Sequence, residues 1–198
     1  PLMGNVSYTK ASVTSSSESP YLWTLNQIGA FILKLTGTTK ATAQNLLEKP
    51  EDRAYISGFT SKFFSELCRN PTFGSAMNKD MSAPEVREKT VIGTATFFKS
   101  LAIVAKVVKM NLEAKGPGKA DWSLLDKWSS IDLTHNNKEW VGRCKNFRGG
   151  YEDRPWNHKA VASYLLKEMN IPAPPELDDI EREVKMFREQ WKQEAKEG

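Results

Sequence analysis

The stretch that begins at Ser82 constrains the fold of this chain more than any other. Ser82-Ala83-Pro84-Glu85 is a capping box with proline in the first turn. The serine hydroxyl and the glutamate carboxylate each satisfy a backbone N–H that a first turn leaves open, and proline pre-sets the backbone angle. No further proline occurs until Pro117, so the spacing predicts one helix over 83 to 112. On a wheel of about 100° per residue, Val86, Ile92, Phe97, Phe98, Leu101, Ile103, Val104, Val107, Val108 and Met110 surround almost the whole circumference. A helix that is apolar on every side has to be enclosed by others. The gap in that circle holds Lys99, Lys106 and Lys109 within an arc of about 80°, so the strip left to solvent is cationic. Lysines that merely snorkel beside an apolar helix give the same pattern.

The rest of the chain supplies the enclosing helices. Ser19-Pro20 is a cap followed by proline, and Leu22, Leu25, Ile28, Ile32 and Leu35 continue at helical spacing, predicting a helix over 20 to 36 that stops at Gly37. Gly29 inside it is expected where another backbone packs closely. Thr39 caps a short helix ending before Pro50, and Pro50-Glu51-Asp52 starts another that reaches about Arg69, with Tyr55, Ile56, Phe59, Phe63, Phe64 and Leu67 on its apolar face. Cys68 beside that face reads as a small buried hydrophobe. Gly116-Pro117-Gly118 breaks the chain, and Asp121 caps a short helix anchored by Trp122 and Trp128. Residues 129 to 137 read as loop, with His135 lacking a recognisable partner, and Trp140, Val141 and Cys144 suggest a further helix. A helix opening near Asn157 turns Ala160, Val161, Tyr164, Leu165 and Met169 inward and ends at Ile171-Pro172. After the stiff Pro172, Pro174 and Pro175, a heptad-like seam of Leu177, Ile180, Val184, Phe187 and Trp191 is expected to dock on the body rather than dimerise.

The fold class expected is mainly α: a compact helical domain with a buried central helix and a C-terminal amphipathic helix. Residues 1–18 read as an extended lead-in with little core, 19–172 as the helical domain, and 173–198 as a Pro-rich spacer and docking helix. Pro1-Leu2-Met3-Gly4 reads as an added junction, which suggests a piece of a longer protein. Residues 1–175 hold 23 Lys and Arg against 16 Asp and Glu, whereas 176–198 hold 5 against 8. A basic body with an acidic tail suits a polyanionic partner met by the body alone. Cys68 and Cys144 are too far apart for a CxxC pair, so free thiols in a reducing, cytoplasmic setting are expected. No apolar run is long enough to span a membrane, so no membrane partner is expected.

Polar chemistry concentrates between Trp140 and Lys159, WVGRCKNFRGGYEDRPWNHK. Cations and aromatic rings alternate there around Gly149-Gly150, a pattern suited to phosphates and stacked bases. The candidate nucleic-acid-binding residues are Arg143, Lys145, Arg148, Tyr151, Arg154, Trp156, His158 and Lys159, with Lys99, Lys106 and Lys109 from the central helix. A Gly-Gly turn whose arginines pair with Glu152 and Asp153 explains most of the same letters. Glu152, Asp153 and Lys159 also allow a metal-dependent nuclease reading, and His158 as general acid or base needs an orienting carboxylate. Cys144, His158, Cys68 and His135 lack the short paired spacings of zinc motifs, so neither metal nor cofactor is expected. No helix-turn-helix is recognisable. A third class is a protein interaction module that docks through the acidic last helix or exposed aromatics.

Pro20-Tyr21-Leu22-Trp23, the pair Trp122 and Trp128, and above all Arg143 through His158 with Lys159 resemble the C-terminal half of the DGQHR-domain family, over about residues 6 to 185. The resemblance is to its DndB branch, associated with DNA phosphorothioate modification. The Asp-Gly-Gln-His-Arg string that names the family is absent; in the family it lies in an N-terminal half. The resemblance implies a cytoplasmic bacterial protein of DNA modification or phage defence, acting as a DNA-binding transcriptional repressor of its own modification genes. The partners it implies are DNA, a missing N-terminal domain of the same protein, and other proteins of the modification system.

Overall fold

Small polar side chains at helix starts set the order of the elements. Thr24, Thr39, Asn70, Ser82 and Thr94 each accept a backbone N–H from the turn that follows. They open α1 (Leu25–Thr36), α2 (Lys40–Glu48), α4 (Pro71–Asn78), α5 (Ala83–Lys89) and α6 (Ala95–Ala114), while α3 (Pro50–Leu67) and α7 (Pro155–Glu168) begin on proline, as does α8 (Pro175–Glu197). This computed structural model describes residues 3–7, 19–116 and 120–197. Most of the lead-in, and Pro117 and Gly118 of the predicted break, lie outside the described residues. The molecule is mainly α, as expected; β1 (Val6–Ser7) and β2 (Trp23–Thr24) form one short parallel pair.

The central helix is α6, and α1 and α7 pack on it from two sides. Leu101, Val104, Ala105 and Val108 are fully buried. Phe31 of α1 meets Phe64 of α3 at 5.4 Å between ring centroids and Phe98 of α6 at 5.7 Å. Such tilted aromatic pairs add to the burial of their apolar area. Trp128 closes one end of this core, its indole N–H donating to the Leu67 carbonyl at 2.6 Å. Met110 and Ile103 depart from the predicted apolar circle, Met110 being half exposed and Ile103 half-buried.

The predicted helix over 83 to 112 is two helices. The capping box forms at Ser82 and Glu85, but α5 ends at Lys89 and a 3-10 turn, Val91–Gly93, intervenes before α6. Tertiary contacts decide this. The Val91 N–H donates to the Leu133 carbonyl at 3.0 Å and Thr90 pairs with Thr134, so the backbone here bonds to a distant loop. A Cβ at Gly93 would lie 2.5 Å from Arg87 Cγ, so only glycine allows the chain to fold back on α5.

Other expectations shift in the same way. The helix over 20 to 36 starts at Leu25, because Trp23 and Thr24 pair with β1 and Thr24 forms the capping box with Gln27. Val6 is fully buried there, so residues 6 and 7 belong to the core and not to a lead-in. Nothing lies within 4 Å of a Cβ built on Gly29; it borders an open cleft between α1 and α2 instead of a close backbone. Asn70 is more than a terminator: its side chain caps α4 and donates to the carbonyls of Trp128 and Ile131. Tyr55 is half exposed, not part of the buried face, and Cys68 is half-buried. The predicted helix at 140 to 144 is a 3-10 turn, Lys138–Trp140, followed by a tight turn at Gly142 with φ 77°.

The last helix docks in cis. Leu177 joins the main core, Ile180 and Val184 pack with Ala160 and Trp156, and Ser163 Oγ donates to the Leu177 carbonyl at 2.9 Å. Phe187 and Trp191, expected on the same seam, remain partly exposed but lie against Phe147, with Trp191 stacked on it at 4.0 Å. Truncation after Ala173 therefore uncovers α7, and a lower melting temperature is expected in a thermal denaturation of the shortened chain. An unchanged melting temperature would show that this seam contributes nothing to the fold.

Candidate nucleic-acid interface

The loop that leads into α7 is organised by amide side chains. Asn146 Oδ1 accepts from the backbone N–H of Arg148 at 3.1 Å and of Gly150 at 2.9 Å, and the Asn146 N–H donates to the Gly150 carbonyl at 2.8 Å. Gly149 supplies the left-handed φ of 89° that closes this turn. Asn157 then fixes the helix start, accepting from the Arg154 N–H at 3.1 Å while donating to the Arg143 carbonyl at 2.6 Å. Arg148 is thereby held at the exposed tip and Arg154 at the exposed cap of α7.

Two clefts open on opposite sides of the first turn of α7. The first, about 410 Å³, lies between this loop and α8; Lys145, Arg154 and Trp156 face Glu152, Glu183 and Phe187 across it. The second, about 190 Å³, lies between α1, α6 and α7; Lys34, Lys99, His158 and Lys159 line it over a floor that includes Phe31 and Phe98. The first cleft carries both signs of charge. Among the described residues the second is lined by no acid, though Asp153 bonds Lys99 and His158 of its lining.

The structure divides the candidate residues. Lys145, Arg148, Tyr151, Arg154, Trp156, His158 and Lys159 stay around the start of α7, and Lys99 joins them by pairing with Asp153 at 2.7 Å. Arg143 is withdrawn. It is 4% exposed, pairs with both oxygens of Glu181 on α8, donates to the Ala160 carbonyl at 2.9 Å and sits 5.1 Å from the Tyr164 ring centroid. No phosphate can reach a guanidinium so enclosed. Lys109 is turned away, bonded to Glu113 at 2.7 Å beside the Tyr55 ring. Lys106 is exposed beside Gly37 at the end of α1, so the three lysines of the predicted strip do not act as one patch.

Aromatic residues here are partly committed. Trp156 is half-buried and its indole N–H donates to Glu183 at 2.7 Å. Tyr151 is bonded through its hydroxyl to His135 Nδ1, and burial raises the pKa of that hydroxyl. His135, read as partnerless, is thus held by Tyr151 and by the Arg87 carbonyl at 2.9 Å. Cys144 is buried, which pushes its thiol up to about 12, so it offers no thiolate.

His158 has the orienting carboxylate that sequence could not place. Its Nε2 lies 2.6 Å from Asp153 Oδ1. Burial lowers the pKa of the imidazole, against the pull of Asp153. Burial opposes ionisation of Asp153, but hydrogen bonds from Lys99 and His158 outweigh it and hold the carboxyl below its usual range. The neighbouring carboxylates part company: Asp153 turns to Lys99 while Glu152 lines the first cleft. They do not converge as the nuclease reading requires. Among the described residues no group of three or more His, Cys, Asp or Glu is placed to hold a metal ion.

Lys34 is the residue that sequence reasoning missed. It lies in the last turn of α1, where a cation suits the helix dipole and nothing local marks it as a ligand contact. Only folding brings α1 beside α7. Among the described residues Lys34, Arg148, Arg154 and Lys159 are exposed cations for which the structure gives no ion pair.

Residues 1–172 match the family model of DndB, described as DNA-sulfur modification-associated. The chain belongs to the DndB family. Comparison with curated proteins and with solved structures gave no match. Family membership ties this DndB-family chain to DNA phosphorothioate modification systems. The matched residues contain every residue of the second cleft, whereas α8, the far wall of the first, lies beyond them. Among the described residues no helix is long and apolar enough to cross a membrane.

Proposed function

We propose that the chain binds DNA through the cationic surface around the start of α7. The observation that supports this best is the second cleft: Lys34 and Lys159, exposed and with no ion pair given by the structure, line it beside Lys99, which Asp153 holds, inside the region that defines the chain as a DndB-family member. Arg148 and Arg154 extend the surface around the first turn of α7, whose N-terminal dipole end also favours an anion. With no recognisable helix-turn-helix, contacts to the phosphate backbone position the chain and the grooves are not read by an inserted helix of that kind. In the DndB setting, this binding serves repression of the modification genes in the cytoplasm, together with other proteins of the modification system.

The test is titration of a duplex oligonucleotide at two salt concentrations. Binding that weakens steeply with salt is expected, with a slope of about −4 for four or five neutralised phosphates. Binding that is absent at low salt, or insensitive to salt, overturns the reading. One observation favours a second reading: the Asp153–His158 pair is the arrangement of an oriented general base. Cleavage of DNA by the parent chain that is lost in His158→Ala would establish that reading instead.

A further inference from the structure

The second cleft is amphipathic in a way that ordinary phosphate binding does not require. Its volume, about 190 Å³, is below the range of sites for whole small-molecule ligands and suits a single phosphate-sized group. Its rim is cationic, but its floor is aromatic and aliphatic, formed by Phe31, Phe98 and the half-buried Ile103. Asp153 already holds Lys99 and His158, so Lys34 and Lys159 are the rim cations open to a ligand. A ligand that fits must present negative charge outward and a soft, poorly hydrated atom inward. An ordinary phosphodiester has only hydrated oxygens to offer to that floor, and burying an oxygen there without a donor is unfavourable.

We propose that this cleft takes one backbone linkage of DNA in which sulfur replaces a non-bridging oxygen, with the remaining oxygen toward Lys34 and Lys159 and the sulfur on the apolar floor. Sulfur substitution keeps the single negative charge while supplying a larger, more polarisable atom, and sulfur packs favourably against aromatic ring edges. The family description, DNA-sulfur modification-associated, is consistent with such a ligand. Sulfur also makes the phosphorus stereogenic. A cleft with cations on one side and rings on the other therefore distinguishes the two diastereomers. The inference rests on the DNA-binding reading above and adds to it a chemical preference at one site.

The experiment uses the full chain and three duplexes of one sequence: unmodified, and carrying a single phosphorothioate linkage as either separated diastereomer. One diastereomer is expected to bind about fourfold tighter than the unmodified duplex, the effect of burying one methylene-sized group. Ile103→Asn should abolish that preference, bringing all three duplexes to a common affinity. Lys34→Ala should weaken all three duplexes alike. The chain has two histidines, so the His158 ring resonance can be assigned by comparison with His135→Gln, and it should shift more with the preferred diastereomer. Equal binding of all three duplexes overturns the sulfur preference and leaves the DNA reading standing. A preference that survives Ile103→Asn with the His158 resonance unmoved places the sulfur elsewhere and overturns the assignment of the cleft. Failure to bind any of the three overturns both.

Discussion

Leu101→Asp leaves no stable folded chain. Leu101 is fully buried in α6, with α1 on one side and α7 on another. An aspartate there has to stay charged without a partner or take up a proton at neutral pH, and either costs several kcal/mol on top of the lost packing. Total stability for a domain is about 5–15 kcal/mol, so one such change consumes most or all of it. Circular dichroism and a thermal melt decide the matter. Parent-like helicity with a parent-like melting temperature would mean that α6 is not the centre of the core.

Arg143→Ala is the second large effect, and it is an effect on stability. The substitution strands Glu181, whose side chain is 17% exposed and whose remaining cation, Lys167, lies 3.9 Å away, and it removes the guanidinium donor to the Ala160 carbonyl. Removing one member of a buried pair costs about 3–5 kcal/mol. For a chain of this size that lowers the melting temperature by roughly 10 °C. Because Glu181 lies on α8, the helix should also loosen, and limited proteolysis should cut α8 sooner than in the parent. If Arg143→Ala melts like the parent but loses DNA affinity, the guanidinium is reaching phosphate and its burial against Glu181 is wrong.

That residue also shows where sequence reasoning stops. Helices were legible wherever local chemistry decides the outcome: Thr39, the Ser82–Glu85 capping box, Pro50, and the apolar positions of α7 all act within one or two turns. The break between α5 and α6 was not, because it depends on Val91 bonding to Leu133 and on Gly93 lying against Arg87, contacts made only after the loop at 133–134 has arrived. Arg143 and Arg154 look alike in the sequence, each a cation beside aromatic residues. What separates them is α8, which carries Glu181 to Arg143 and leaves Arg154 exposed. The same holds for Lys34 and Lys159, which are far apart in the chain and become neighbours across the second cleft because α1 and α7 share α6 as their support. Asp153 and His158, by contrast, are five positions apart, yet their pairing depends on how the loop enters α7.

The central claim, that exposed cations around the start of α7 hold DNA phosphates, is tested most directly by the salt dependence of duplex binding in two double variants. One is Arg148→Ala with Arg154→Ala; the other is Lys34→Ala with Lys159→Ala. All four side chains are exposed, so circular dichroism and melting should match the parent. If each cation neutralises one phosphate, each double variant lowers the slope of log affinity against log salt by about two. Parent-like affinity and parent-like slope in both variants would contradict the account.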